Sequence, residues 1–188
     1  MTKAEAKQSF SMYLDEHNIE SYPTINDGII STVIVLYHHE HCPDRILEAC
    51  VTFNNNFLEE RVYYDSNAAG WYRQSSSNRT ALMKLINYIN INVWPLSADG
   101  AGGQFYQSQH LYVPRICLDE ETGDIFAMSV IPFIFYELTQ LQTNDYLTAF
   151  VPELMDRIAP AVFEAMGGQT DFEGAVHLLQ LYLYELSE

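Results

Sequence analysis

Three β-rich runs, Ile29–Tyr37, Leu47–Phe53 and Arg61–Tyr64, follow one another between two helical stretches, and they restrict the fold more than anything else in the chain. Each is dense in branched and aromatic side chains, which suit a pleated, half-buried surface. Their separators carry Pro43-Asp44 and Asn54-Asn55-Asn56. Proline fixes φ and Asn bonds its own backbone, so both segments read as turns. An antiparallel meander is what these signals predict.

The rest of the chain supplies the cover. Thr2-Lys3-Ala4-Glu5 has the form of a capping box. Ala6, Phe10, Tyr13, Leu14 and His17 then recur at helical spacing, which predicts an amphipathic helix over 3–19. Pro23 and Asn26-Asp27-Gly28 read as the break after it. Beyond the meander, Ser75-Ser76-Ser77-Asn78 offers N-caps to a second helix with the stripe Leu82, Leu85, Ile86, Ile89 and Val93. Residues 95–110 read as a Gly-rich loop. A second hairpin, Leu111–Leu118 and Ile125–Ile131, flanks an acidic turn, and Pro114 marks its first strand as an edge or a bulge. Thr143-Asn144-Asp145 reads as the cap of a third helix, kinked or divided by Pro152 and Pro160 and ended by Gly167-Gly168. Asp171 opens a last helix with Phe172, Val176, Leu179 and Leu183 as its stripe, although Leu181–Leu186 also alternates like a strand. The order α-β-β-β-α-β-β-α predicts an α+β fold, an antiparallel sheet of about five strands covered by helices. An additional C-terminal helix spans 171–187. No repeat or linker divides the chain, so residues 1–188 read as one domain with its core in 1–166.

Charge narrows the function. Nine Lys and Arg stand against 25 Asp and Glu, a formal net charge of −16. Such a surface repels nucleic-acid phosphates and anionic membranes, and neither is expected as a partner. The 48% of hydrophobic residues suffices for a core without disulfides or metal. Cys42, Cys50 and Cys117 are odd in number and form no CxxC pair, which fits a reducing cytoplasm. The first seven residues lack the apolar run of a signal peptide, and no run approaches the roughly 20 residues of a spanning helix.

His38-His39-Glu40-His41-Cys42 is the most suggestive cluster. Imidazole and thiolate bind zinc, and His39 and His41 share a side if the strand continues, which makes His39, His41 and Cys42 weak metal candidates. No second ligand pair occurs at zinc spacing, so a polar inter-strand turn is expected, and no cofactor. A metal-dependent enzyme built on this cluster is the alternative. Gly100-Ala101-Gly102-Gly103 lacks the following Lys and helix of a phosphate cradle. The acidic turn lacks the ligand order of a calcium loop. Cys50 and Cys117 read as small core residues, and no catalytic residue is expected. Asn87 and Asn90, three apart on the second helix, read either as a binding or dimer feature or as ties to nearby backbone, with the tie preferred. Trp71, Tyr72, Trp94, Phe105 and Tyr106 lie outside the periodic stripes and are candidates for a binding face, with core lining as the other reading.

Leu82-Met83-Lys84-Leu85-Ile86-Asn87-Tyr88-Ile89-Asn90 is followed by the hairpin Ile116-Cys117-Leu118-Asp119…Gly123-Asp124-Ile125-Phe126 and by Arg157-Ile158-Ala159-Pro160-Ala161-Val162. This succession resembles the bacterial YbjN-like family, which shares its fold with the type III secretion chaperones. The likeness covers roughly residues 1–166, and 77–166 most fully. It implies a helix-covered α+β sheet, no catalytic residues and a protein-binding or regulatory role of the kind ascribed to sensory transduction regulators. Chaperones of this fold are small, acidic, cytoplasmic and dimeric, and bind extended segments of other proteins. The implied partner is another protein or peptide segment, and the implied assembly a homodimer. A structural subunit of a larger assembly is a further alternative. The loop 95–110 exceeds the family's usual connection. The helix after Asp171 is an addition that could cover the usual dimer face and leave a monomer.

Overall fold

The computed structural model describes residues 1–26, 29–64, 66–74, 79–93, 97–98, 105–106 and 113–184. Helix α1, Lys3–Glu16, begins at the predicted capping box: Thr2 Oγ1 accepts from the Glu5 N–H and Glu5 Oε2 accepts from the Thr2 N–H. It buries Ala6, Phe10, Tyr13 and Leu14. Strands β1 (Ser21–Asn26), β2 (Ile29–His38), β3 (Ile46–Phe53) and β4 (Phe57–Tyr64) then run as an antiparallel meander. Strands β7 (Arg115–Leu118) and β8 (Ile125–Pro132) form the second hairpin, and β8 pairs antiparallel with β4. The sheet has six strands in the order β1-β2-β3-β4-β8-β7.

The fold is α+β, with one strand more than the sequence predicts. The stretch around Pro23 reads as a break, yet Pro23 pairs with Val33 within β1. Strand β1 is an edge, where proline is tolerated because outward N–H groups have no ladder partner to lose. Strand β7 is the other edge, as Pro114 suggests, but it begins at Arg115, so the proline precedes the strand rather than lying inside it.

Strands β3 and β4 alternate strictly. Leu47, Ala49, Val51 and Phe53 pack inward with Leu58, Glu60, Val62 and Tyr64, while the intervening residues keep some exposure. That parity overturns the reading of Cys50 and Cys117 as core residues: both sit at partly exposed positions, and the buried cysteine is Cys42.

Helices α2 (Ser66–Gln74) and α3 (Arg79–Asn92) connect the meander to the second hairpin. The α3 stripe Leu82, Leu85, Ile86 and Ile89 is buried as its period predicts, whereas α2 is unforeseen. The α2 residue Tyr72 lies against the hairpin turn. Gly123 there has φ 84°, and a Cβ on it would stand 2.9 Å from the Tyr72 ring. Within the segment read as a loop, β5 (Ser97–Ala98) and β6 (Phe105–Tyr106) form a two-stranded ladder. Trp94, His110, the Gly100–Gly103 segment and the proposed caps Ser75–Asn78 lie outside the described residues.

After β8 come α4 (Phe133–Leu138), α5 (Gln140–Asp145), a π-helical turn (Tyr146–Phe150), α6 (Val151–Gly167) and α7 (Phe172–Tyr184). Thr143-Asn144-Asp145 is not a cap. The chain is helical from Gln140 onward, and Thr143 and Asn144 are buried within it. The helix divides at the π-helical turn rather than at a proline. Pro152 occupies the first turn of α6, where its missing N–H costs nothing. Pro160 stays inside α6, and Gly168, with φ 70°, ends it. Asp171 caps α7 by accepting from the Gly174 N–H at 3.0 Å. Helix α7, the expected C-terminal addition, packs on α6 and α3 and replaces the strand reading of its last turns.

Candidate binding surface

Among the described residues, Asn90, Tyr72 and Trp71 have three different surroundings. The side-chain amide of Asn90 brackets Ile116 of β7, accepting from its N–H at 2.8 Å and donating to its C=O at 2.9 Å. That bond extends the ladder of an edge strand, so Asn90 is a backbone tie and Asn87 is simply exposed. Tyr72 is core, 1% exposed, with the Arg79 guanidinium over its ring at 4.8 Å. Its neighbour Trp71 is half-exposed and meets Phe163 edge-on at 5.5 Å. Phe105 and Tyr106 enter through the backbone of β6 alone.

The His38–Cys42 cluster is a loop, because β2 ends at His38. What fixes it is Asp156 of α6: its Oδ1 accepts from the backbone N–H groups of His41 and Cys42 at 2.8 and 2.7 Å. His39 Nδ1 stands 3.8 Å from Glu153 Oε2 and 4.0 Å from Asp156 Oδ2, beyond hydrogen-bonding distance. The His41 ring meets Tyr182 edge-on at 5.2 Å. Together with His38, Glu40 and Arg157 these residues line an open groove of about 410 Å³. Burial, aided by Asp156, pushes the Cys42 thiol up to about 12, so no thiolate is available there at neutral pH. Among the described residues no group of three or more His, Cys, Asp or Glu could hold a metal ion. The groove is polar and structured, but its organiser lies 114 residues from Cys42 and has no local signature in the sequence.

The feature that sequence reasoning missed lies over residues 133–150, where large apolar side chains face outward while several polar ones are buried. Ile134, Leu138 and Leu141 are 67%, 75% and 58% exposed, and Phe135 is nearly half-exposed. Met12 of α1 extends this apolar side. It lies one turn beyond Ser9, whose hydroxyl donates to Gln140 Oε1 at 3.1 Å. The buried side carries polar groups among Phe133, Leu147 and two tyrosine rings. The Tyr136 hydroxyl donates to Asn144 Oδ1 at 2.8 Å, and Thr148 Oγ1 donates to the Asn144 C=O at 2.8 Å. Thr148 also reaches the Tyr13 hydroxyl, which donates to Asp145 Oδ1 at 2.7 Å. On the sheet below, Ser129 of β8 bonds the Tyr146 hydroxyl at 3.1 Å and stands directly opposite Glu60 of β4.

Glu60 completes the reversal. It is fully buried, and neither carboxylate oxygen has a hydrogen-bond partner among the described residues. Burial pushes its carboxyl well above the usual range. The nearby Tyr37 phenol is likewise raised, first by its own burial and then by Glu60. A period-2 reading of β4 places Glu60 at the inward parity of Leu58 and Val62, so that signal was present in the sequence.

No helix among the described residues is long and apolar enough to cross a membrane. Comparison of the chain with protein-family models, with curated proteins and with solved structures finds no match.

Proposed function

We propose that this chain is a protein-binding regulatory module of the YbjN-like kind, acting in a reducing cytoplasm through the outer side of α4 and α5. The observation that carries the reading is the exposed cluster of Ile134, Phe135, Leu138 and Leu141 with Met12 beside it. Scattered single hydrophobic residues are normal on a monomer, whereas a contiguous group of large ones marks a surface that another molecule covers. Charge supports one kind of occupant. A net charge of −16 favours a partner whose apolar centre is flanked by Lys or Arg, and disfavours a second copy of the same chain.

The test is a photo-crosslinking side chain placed at Phe135 and, as a control on another exposed position, at Met83. Expressed in the native host, the 135 probe is expected to give one defined heterologous adduct that the 83 probe lacks, weakened at least tenfold by Leu138→Glu. Equal adducts from both positions overturn the reading, and so does an adduct to the chain itself alone.

A further inference from the structure

We infer that α4, α5 and the π-helical turn form a clasp that lifts from the sheet when Glu60 gives up its proton, so that acidity regulates the proposed docking surface. As regulation of that surface the inference rests on the binding reading; as a detachable segment it stands alone. Three observations carry it.

The underside of the clasp combines buried apolar contacts with hydrogen bonds that water can replace. Asn144, Thr148, Ser129 and the hydroxyls of Tyr13, Tyr136 and Tyr146 make its hydrogen bonds. Against this stand Phe133, Leu147 and the buried rings of Tyr136 and Tyr146, which hold it closed. The segment is interrupted twice along its length. Thr139, with φ −137° and ψ 42°, interrupts the helix between α4 and α5. The π-helical turn Tyr146–Phe150 interrupts it again before α6, and such turns are local weak points in a helix, often at functional sites. Finally, Glu60 lies beneath the segment with two unpartnered oxygens. An ionised carboxylate cannot remain in that position without a donor or water.

Among the described residues, the groups around Glu60 offer no counter-charge. From β2 it is faced by Tyr37 and from β8 by Ser129, which bonds the Tyr146 hydroxyl of the π-helical turn; Tyr13 of α1 stands near Tyr37 and bonds the acid Asp145. The closed form therefore holds Glu60 as the neutral acid. Lifting the clasp hydrates the carboxyl, which releases its proton to solvent and returns to ordinary glutamate behaviour. Above the ordinary glutamate range the open form must gain about tenfold for each pH unit, for as long as the closed form stays protonated.

Hydrogen–deuterium exchange tests this, with amide rates corrected for their intrinsic pH dependence. Between pH 5 and pH 7 the opening constant of residues 140–150 is expected to rise about a hundredfold in the native protein and to stay level in Glu60→Gln and Glu60→Met. The amides of β3 and β4 should open far less often than the clasp. A level profile in the native protein overturns the clasp. So does the same rise in both variants, or exchange of 140–150 no faster than that of β3. A disulfide joining Ser9→Cys to Gln140→Cys should suppress the opening at both pH values, and an unchanged rise in the clamped protein also overturns it. Leu138→Glu separates the two readings: loss of the adduct with the pH rise intact sustains both, whereas the rise without any adduct leaves the clasp standing and removes the docking surface.

Discussion

Replacing Glu60 with Gln should stabilise the protein, and by an amount that grows with pH. In the unfolded chain this carboxyl titrates near the reference value of about 4.3. In the fold it is raised well above that, because the carboxyl is fully buried and no described residue donates to it. A group raised on folding contributes stability that is fully present below its unfolded value and is lost as pH climbs toward its folded value. Each unit in that window costs about 1.4 kcal/mol. At pH 5.5 the native protein therefore carries a penalty of about 1.6 kcal/mol, and at pH 7.5 about 4.4 kcal/mol while Glu60 remains neutral. Total stability for a domain is about 5–15 kcal/mol, so the larger figure is a substantial share of it. Gln keeps the shape and does not titrate. Urea unfolding followed by circular dichroism at the two pH values should show the gap between variant and native protein widening, by about 2.7 kcal/mol where Glu60 stays neutral across the whole range. Both pH values lie above the sequence pI of about 4.5, where solubility would be poorest. Groups elsewhere cancel in the difference. A gap that does not change with pH would mean that Glu60 is already ionised and hydrated in the native protein, and the reasoning would fail. A gap that grows and then levels off before pH 7.5 has a specific meaning: the clasp has opened, and the penalty is capped at the free energy of opening.

Two further outcomes concern the loop at His38–Cys42. Asp156→Ala leaves the buried Cys42 N–H and its neighbour at His41 without their shared acceptor and should cost about 3 kcal/mol in urea unfolding. Asp156→Asn, which keeps an acceptor oxygen, should recover most of that, and a loss below about 0.5 kcal/mol for the Ala variant would show that the loop is held by other contacts. Iodoacetamide at pH 8 should alkylate Cys50 and Cys117 at least about tenfold faster than Cys42, because Cys42 is buried and its thiol is pushed up to about 12. Equal rates in peptide mapping would place Cys42 in contact with solvent.

Local rules carried much of the fold because much of the fold obeys them. The capping box at Thr2 and Glu5, the 3.6-residue stripe of α3 and the alternation of β3 and β4 are short-range patterns, and each forms where the pattern stands. The failures have a common physical origin in tertiary placement. Pro23 breaks a helix or a central strand but not an edge, and edge position is set by the whole sheet. Thr143 and Asn144 look like a cap because they usually compete for backbone groups. Here Tyr136 and Thr139 satisfy them inside a helix. The candidate site was the least legible part. Its apolar members are consecutive enough to read as core, and which of them face outward is set by the packing of Phe133, Tyr136, Tyr146 and Leu147 on the sheet and α1. Asp156 and the His38–Cys42 loop meet through the fold alone.

Salt dependence distinguishes the two occupants that the α4–α5 surface could receive. A second copy brings another net charge of −16, so association works against long-range repulsion. Screening relieves that repulsion, and the Debye length shrinks from about 30 Å at 0.01 M to about 10 Å at 0.1 M and 3 Å at 1 M. A self-associating patch should therefore tighten as salt rises, as should any contact whose centre is apolar and whose rims repel. A partner with Lys or Arg around an apolar centre behaves in the opposite way: it loses steering and rim attraction, and its association rate falls steeply while the buried contacts that set dissociation change little. The charge balance of this chain leaves the second outcome as the expected one. With the crosslinked partner in hand, association measured between 0.05 and 0.5 M salt should slow by about tenfold or more, with dissociation nearly constant. Light scattering of the chain alone over the same series should stay at the mass of one 21.6 kDa chain. Association that strengthens with salt, together with a doubling of that mass, would assign the patch to a homodimer and remove the charged partner from the argument.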